Sequence, residues 1–232
     1  MPKKNKVKTR GKTEPMKRTT SASRRKTARP ESKNAPAAGK DSPGPLVFHP
    51  LTPDRWPDLE HLFGPRGACG GCWCMWWRQT QAEFDRNKGE PNRRAMNRIV
   101  EAGQVPGILA YDRGRPVGWC SLGPRESYPR LERSRILKRI DDRPVWSVVC
   151  FYVARSHRRR GLAIELLRAA VQYAAGQGGR IVEGYPVEPK KESAPDVFLY
   201  HGLASQFRQA GFLEAARRSE TRPIMRYHIR SS

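Results

Sequence analysis

The stretch VWSVVCFYV (residues 145–153), followed by ARSHRRRGLA (154–163) and IELLRAAVQYAA (164–175), decides the fold of this chain. The first part is a continuous apolar run typical of a buried strand, and the last has the apolar spacing of an amphipathic helix. The turn between them contains the pattern Arg158-x-x-Gly161-x-Ala163. Its small residues let backbone N–H groups converge at the helix start, where the helix dipole favours an anion such as phosphate or pyrophosphate. The alternative is a solvated arginine cluster without a ligand.

The sequence on both sides of this unit predicts further strands and helices in a regular order. The Asp112-Arg-Gly turn between two short apolar runs predicts a β-hairpin. The predicted order is β-α-α-β-β-β-α-β-α-β-β. Strands are expected at 47–51, 108–111, 116–122, 145–153, 180–185, 212–216 and 223–229, and helices at 52–63, 92–102, 161–175 and 203–210.

This order over residues 46–229, together with the pattern from Arg158 to Ala163, resembles the GCN5-related N-acetyltransferase (GNAT) family. The segment FRQAGF (207–212) is similar to the last helix and strand of that family, and GCWCMWWR (71–78) resembles an actinobacterial-type subgroup. The resemblance implies an α/β (α+β) GNAT domain over residues 45–232. Its mixed, mostly antiparallel central sheet is expected to be flanked by helices.

The resemblance also implies acetyl-CoA as a co-substrate, and the family pattern is carried over residue by residue. The small residues of the turn are expected beneath the CoA pyrophosphate, with the basic residues around it. The backbone of the preceding strand is expected to pair with the pantetheine arm. The predicted cofactor-binding residues are Phe151, Val153, Arg158, Arg159, Arg160, Gly161, Leu162 and Ala163.

The same resemblance implies direct transfer of the acetyl group to a neutral amine, which needs a base and a proton donor for the leaving thiolate. Much of the family uses a tyrosine as the donor, and Phe207 occupies that position here. The catalytic candidates are therefore Glu183 as base, and Tyr185 or Tyr200 as acid. The alternatives are a solvated strand carboxylate for Glu183 and simple packing for Tyr185.

Three cysteines, Cys69, Cys72 and Cys74, lie close together ahead of a tryptophan-rich run. Three thiolates could bind zinc, but a structural site needs a fourth ligand, and no second cysteine or histidine pair lies at a familiar spacing. No metal is expected. One alternative is that the cysteines are small buried residues in a hydrophobic plug.

The aromatic run that follows consists of Trp73, Trp76 and Trp77, and it ends at Arg78. These four residues are the predicted substrate-binding set, because the family fold places this segment beside the acceptor. The tryptophans form either a hydrophobic plug under the sheet or a flat wall for an aromatic or cationic acceptor. Arg78 either anchors an acidic group of the acceptor or pairs with Glu83.

Charge is concentrated at the N-terminus of this 232-residue chain, whose net charge is +23. Residues 1–44 hold 14 Lys/Arg and 3 Asp/Glu, which gives +11. With almost no large apolar residues, this segment is predicted to be a disordered basic tail. We expect it to bind nucleic acid non-specifically in vitro, and a merely solubilising role is the alternative.

Composition limits the location of the protein as well. No apolar run of ~18 residues occurs, so a membrane span is not expected. Five cysteines without a disulfide pattern fit a reducing cytoplasm. The sequence does not distinguish a monomer from a homodimer.

The leading hypothesis is an acetyl-CoA-dependent N-acetyltransferase that acts on a small-molecule or protein amine. Phe207 motivates a second hypothesis, a catalytically silent acyl-CoA-binding or regulatory module. The basic tail motivates a third, a protein associated with nucleic acid.

Overall fold

A single mixed sheet organises the part of the chain that the computed structural model describes, residues 44–189 and 200–230. The predicted disordered tail lies outside these residues, apart from Gly44. The strands are β1 (Leu46–Pro50), β2 (Gly107–Asp112), β3 (Arg115–Pro124), β4 (Trp146–Val153), β5 (Ile181–Gly184), β6 (Leu213–Arg217) and β7 (Pro223–His228). The helices are α1 (Trp56–Phe63), α2 (Gln81–Asn87), α3 (Glu90–Glu101), α4 (Pro129–Glu132), α5 (Leu162–Gly176) and α6 (Ala204–Gln209).

The strands follow the order β1-β2-β3-β4-β5-β7-β6 across the sheet. Among the described strands, only the central pair, β4 and β5, is parallel, and every other neighbouring pair is antiparallel. The parallel pair requires a crossover, which α5 supplies. The expected mixed, mostly antiparallel sheet flanked by helices is therefore confirmed.

Helix α5 covers one face of the sheet with an apolar stripe. The buried side chains of this stripe are Leu162, Leu166, Leu167, Ala169, Ala170 and Ala174. They join side chains of β2, β3 and β4 in one core cluster. Each fully buried leucine stabilises the fold by about 1.5–3 kcal/mol relative to exposure. This packing fixes the first turn of α5 against the end of β4.

Helices α1 and α3 cover part of the opposite face. Their buried residues Leu59, Phe63, Met96 and Val100 pack around Trp119 of β3, which is fully buried. A third cluster lies beyond β4 and includes Tyr128, Leu131, Val149, Tyr185 and Ile224. The boundary between these two clusters passes through Cys150, which contacts both.

All seven predicted strands and all four predicted helices are present, and two differences lie ahead of β2. The predicted helix over 52–63 begins instead as a short 3₁₀ turn at Pro53–Arg55, before α1. Helix α2 was not predicted. It is short, and a capping box stabilises it, because the Thr80 side chain accepts from the Glu83 N–H while Glu83 accepts from the Thr80 N–H. Within the described ranges, no helix has the length and apolar character of a membrane span.

Candidate active site

An open strand edge lies at the centre of the sheet. The pairing of β4 with β5 covers only Trp146–Val148 of β4, opposite Val182–Gly184. Beyond that point β4 continues to Val153 and stays paired with β3 on its other side. The predicted residues Phe151 and Val153 therefore lie on a stretch of β4 that has no β5 partner. A peptide-like group can add to such an edge through backbone hydrogen bonds.

The predicted basic turn connects this open edge to α5. Its backbone is held on one side by Arg158, whose Nε donates to the Val153 carbonyl at 3.1 Å. On the other side, the His157 ring contacts Asp112 of β2, with 2.8 Å between Nε2 and Oδ2. That hydrogen bond holds the pKa of the Asp112 carboxyl below its usual value. The turn is thus fixed to two strands of the sheet.

The N-terminus of α5 is shaped for an anion. Gly161 takes φ +79°, a left-handed conformation that favours glycine, and a Cβ at this position would meet no atom within 4 Å. No side chain caps the first turn. Its backbone N–H groups and the helix dipole can therefore act on a ligand. The flanking residues Arg158, Arg159 and Arg160 are exposed, Ala163 is half-buried, and Leu162 packs in the core.

Two of the predicted catalytic residues, Glu183 and Tyr185, lie in a buried ion-pair network. Glu183 is 1% exposed and accepts hydrogen bonds from Arg125, Arg226 and Tyr185, at 2.7–2.8 Å. The Tyr185 hydroxyl also contacts Ser147 and accepts from Arg125. Burial raises the pKa of Tyr185 well above its usual value. Both side chains have their hydrogen-bonding capacity engaged inside the protein.

The third catalytic candidate, Tyr200, has a different setting. It is only partly buried, and burial raises the pKa of its hydroxyl. Its ring centroid lies 3.9 Å from that of His201, whose Nδ1–H donates to the Val149 carbonyl of β4. Tyr200 therefore stands beside the open edge. Desolvation lowers the pKa of His201 to about 3, so the imidazole is neutral at ordinary pH.

Phe207 belongs to the core. It is fully buried, and its ring packs against Phe151 and Phe212. A Cβ on Gly184 would come within 2.1 Å of the Phe207 ring, so the glycine at the end of β5 leaves the space for it. The position that carries a hydroxyl in much of the resembled family is a packing position here.

The backbone of the cysteine-tryptophan segment, residues 69–77, is strained where the chain enters the core. Trp73 and Cys74 have φ of 42° and 54°, in a region that non-glycine residues seldom occupy. Trp73 stacks on Trp56 and contacts Phe63, inside the cluster formed by α1 and α3. In this position Trp73 fits the predicted plug.

Cys74 reaches the sheet beneath the open edge. Its Sγ accepts a hydrogen bond from the Trp119 indole N–H at 3.1 Å. A hydrogen bond with the Cys150 thiol, followed by that from Trp119, holds the pKa of Cys74 below its usual value despite burial. Cys69 is exposed. Within residues 44–189 and 200–230, no group of three or more His, Cys, Asp or Glu side chains could hold a metal ion.

The remaining predicted substrate residues follow Cys74 in the chain and lie in or beside the third cluster. They are Trp76, Trp77 and Arg78. Trp77 is buried, and its ring lies 5.4 Å from that of His201. Trp76 is half-buried and contacts Phe84. These two tryptophans fit the predicted wall better than Trp73 does, because Trp77 adjoins a residue that is bonded to β4.

The predicted Arg78–Glu83 pair is absent. Arg78 lies over the Tyr128 ring and donates to its hydroxyl at 3.1 Å, whereas Glu83 caps α2. The Thr80 N–H competes with Arg78 for the Glu83 carboxylate. Glu83 lies three residues after the helix cap Thr80, where it can satisfy an N–H that would otherwise have no partner.

Sequence reasoning missed two polar residues near the site, Arg130 and Arg222. The two arginines lie in segments without periodicity, among many basic residues. No sequence signal separates them from solvated arginines.

Comparison with known proteins gives one family. Residues 73–198 match the acetyltransferase (GNAT) family. No curated protein matches the chain at a significant level. A GNAT family acetyltransferase from Listeria monocytogenes has a similar structure, with a TM-score of 0.50 at 10% identity over 79% of this chain and 95% of that one.

Two further solved structures are similar at a lower level. A GNAT family acetyltransferase from Streptococcus agalactiae has a TM-score of 0.48 at 13% identity, over 80% of this chain and 96% of its own. The PaiA N-acetyltransferase from Thermoplasma acidophilum, in complex with coenzyme A, has a TM-score of 0.46 at 11% identity. That match covers 80% of this chain and 99% of the other.

Proposed function

We propose, from the premise that this chain belongs to the acetyltransferase (GNAT) family, that it transfers an acetyl group directly from acetyl-CoA to an amine. The observation that carries the proposal is the open edge of β4 beside the N-terminus of α5. The edge offers backbone groups to the amides of the pantetheine arm. The turn offers N–H groups and guanidinium charges to the pyrophosphate.

The residues proposed for the cofactor are those that the sequence indicated. Phe151 and Val153 contribute backbone groups, although the Val153 carbonyl already accepts from Arg158. Gly161 leaves open space where the backbone must approach phosphate oxygens. The remaining members of the turn are Arg158, Arg159, Arg160, Leu162 and Ala163.

In the proposed reaction a neutral amine attacks the thioester carbonyl, a C–N bond forms, and the C–S bond breaks. The CoA thiolate then takes a proton. Tyr200 is the better of the two predicted donors, because it is only partly buried and lies beside the open edge. Tyr185 is 1% exposed, and its hydroxyl donates to Glu183.

The assignment of Glu183 as base stays a prediction, and its surroundings favour a positioning role. Two guanidiniums and the Tyr185 hydroxyl already engage both of its carboxylate oxygens, and the residue is 1% exposed. His201 is no better as a base, because a group with a pKa of about 3 is too weakly basic to take a proton from an ammonium.

The test of the cofactor site compares two substitutions at Gly161. Gly161→Ala and Gly161→Glu share the cost of a Cβ at positive φ, about 1–2 kcal/mol, and neither side chain meets a clash at Cβ. Only Gly161→Glu adds a carboxylate where the pyrophosphate is expected. Calorimetric titration of acetyl-CoA into the full chain should show a loss of affinity of at least about 100-fold for Gly161→Glu relative to Gly161→Ala.

Equal acetyl-CoA affinity in the two folded variants would contradict the site. Circular dichroism melting of both proteins separates a lost site from a lost fold. The same titration with the unmodified chain decides the general proposal, since a chain that does not bind acetyl-CoA is not an acetyltransferase.

A catalytically silent CoA-binding module is the second candidate, and the burial of Phe207 favours it. The position of the usual hydroxyl is filled by a fully buried ring. The two candidates differ in turnover. Release of free CoA thiol in the presence of an amine panel supports transfer, whereas binding without release for any amine supports the silent module.

A further inference from the structure

Two arginines near the open edge have no carboxylate partner within the described part of the chain. Arg222 lies in the β6–β7 loop and donates from Nη2 to the Tyr185 carbonyl at 3.1 Å. Arg130 lies on α4 and donates to the Gln79 carbonyl and to the Gln81 side chain. The Nε of Arg222 and the Nη2 of Arg130 are buried without a hydrogen-bond partner.

Arg130 and Arg222 are half-buried, and their surroundings differ from those of the two buried arginines. Arg125 and Arg226 are 1% and 3% exposed, and each pairs with two carboxylates. Native proteins seldom keep a buried donor atom without a hydrogen-bond partner unless it has a role. Burial lowers the pKa of both Arg130 and Arg222, and for Arg130 the charge of Asp85 partly offsets this effect.

Both arginines lie close to the acceptor side of the site, by which we mean the surroundings of Trp76, Trp77 and Tyr200. Arg222 bonds to Tyr185, the residue that follows β5 where the two central strands separate. The Arg130 backbone N–H donates to the Trp77 carbonyl, and its guanidinium carbon lies 3.7 Å from the Trp76 ring centroid. The positive charge of Arg222 partly offsets the effect of burial on the pKa of Tyr200. Tyr200 in turn raises the pKa of Arg130, against the effect of burial.

A third donor belongs to the same surroundings. Among the described residues, the buried indole Nε1–H of Trp77 has no hydrogen-bond partner, and its ring lies against His201. Stacking on Trp76 holds the Arg130 guanidinium in one plane, and its Nη2 is left to donate to an oxyanion. Within residues 44–189 and 200–230, no carboxylate satisfies the remaining donors of Trp77, Arg130 and Arg222.

We propose that the acceptor amine also carries an oxyanion, a carboxylate or a phosphate, and that Arg130 and Arg222 bind it. The inference rests on the proposed function, because it places this anion on the molecule that receives the acetyl group. It narrows the acceptor to amino acids, their relatives and amino phosphates. Simple aliphatic or aromatic amines lack the group that these donors require.

The experiment measures acetyl transfer to matched acceptors with the full chain, as release of CoA thiol. L-Phenylalanine is compared with L-phenylalaninamide, and O-phosphoethanolamine with ethanolamine. Each pair differs in the oxyanion, so the two pairs distinguish carboxylate from phosphate. The anionic member of one pair should have a kcat/KM at least about tenfold higher, in line with a charge-assisted contact.

Variants assign that preference to the two arginines. Arg222→Gln and Arg130→Gln should each raise the KM of the preferred acceptor about tenfold or more and leave the affinity for acetyl-CoA unchanged. Arg218→Gln, in the same loop as Arg222, and Arg133→Gln, at the end of α4, are the exposed controls. Arg222→Lys and Arg130→Lys keep the charge if the glutamine variants fail to fold.

Equal kcat/KM for both members of each pair, with acetyl-CoA bound and turned over, would overturn the anion site and leave the acetyltransferase intact. Absence of acetyl-CoA binding would instead remove the proposed function, and this inference with it. A preference for the oxyanion that survives in both glutamine variants would also contradict the assignment.

Discussion

At the residue scale, His201 shows how the fold determines a protonation state. Its ring is buried against β4 and donates from Nδ1 to the Val149 carbonyl. Desolvation lowers its pKa from 6.5 to about 3. Between these values the unfolded chain binds a proton that the folded chain excludes, so stability is lost as pH falls from 6.5 towards 3.

The expected consequence is a pH dependence that one substitution removes. The unfolding free energy should fall by about 2 kcal/mol from pH 7 to pH 5 because of His201 alone. In His201→Asn, the amide can still donate to Val149 but does not titrate. Urea unfolding of both proteins at the two pH values measures the difference. An equal loss of stability in both would show that His201 is not the origin.

At the scale of elements, Glu183 joins β5 to β7 and to the segment between β3 and β4. Arg226 of β7 and Arg125 both pair with it inside the protein, and Arg226 continues the network to Asp141. Two cations depend on one buried carboxylate, so its charge is more important for the packing of these elements than an exposed pair would be.

Glu183→Gln tests whether this carboxylate positions strands or takes part in catalysis. Loss of its charge should lower the unfolding free energy by about 3 kcal/mol, because two buried guanidiniums each lose one of their two carboxylate partners. Glu214→Gln removes one side of the exposed pair with Arg217 and should cost at most about 1 kcal/mol. Guanidinium unfolding gives both values.

The two roles of Glu183 are separated by kinetics. For a positioning residue, kcat in the folded Glu183→Gln variant changes less than about tenfold, and the pH profile of kcat keeps its shape. For a general base, kcat falls by about 10²–10⁴ while stability is retained. The second result would restore Glu183 as the base.

At the scale of the whole molecule, the features that could be predicted from the sequence are those that depend on local patterns. The apolar run of β4, the periodicity of α5 and the turn at Gly161 are contiguous, so their order and type followed directly. The pattern in this turn, together with the order of the elements, also led to the family. Helix α2 was missed because its short capping box lies in a segment of mixed polarity.

The acceptor side of the site was beyond prediction for a different reason. Cys74 meets Trp119 and Cys150, Arg222 meets Tyr185, and His201 meets Val149, through contacts that join distant parts of the chain. Such contacts depend on how the sheet is assembled. The sequence indicated Trp76 and Trp77 but could not show which arginine lies beside them. The alternative in which Arg78 pairs with Glu83 is wrong, because Glu83 caps the helix at Thr80.

Charge distribution leads to the last prediction, which concerns the basic N-terminal residues. Residues 1–44 carry +11, nearly half of the total of +23. The full chain should therefore bind random-sequence duplex DNA with a dissociation constant of about 10⁻⁴–10⁻⁶ M, weakening more than about tenfold between ~50 and ~200 mM salt. Fluorescence anisotropy with a labelled duplex measures this.

A variant that begins at Ser42 should lose at least about tenfold in DNA affinity and show a shallower salt dependence, because fewer phosphates are neutralised. A second variant, in which the Lys and Arg residues of 1–41 are replaced by Gln, separates charge from chain length. Acetyl-CoA affinity should be the same in all three proteins, since the proposed cofactor site lies between Phe151 and Ala163. Unchanged DNA binding after removal of residues 1–41 would locate the interaction on the remaining residues, whose own charge of about +12 would then account for it.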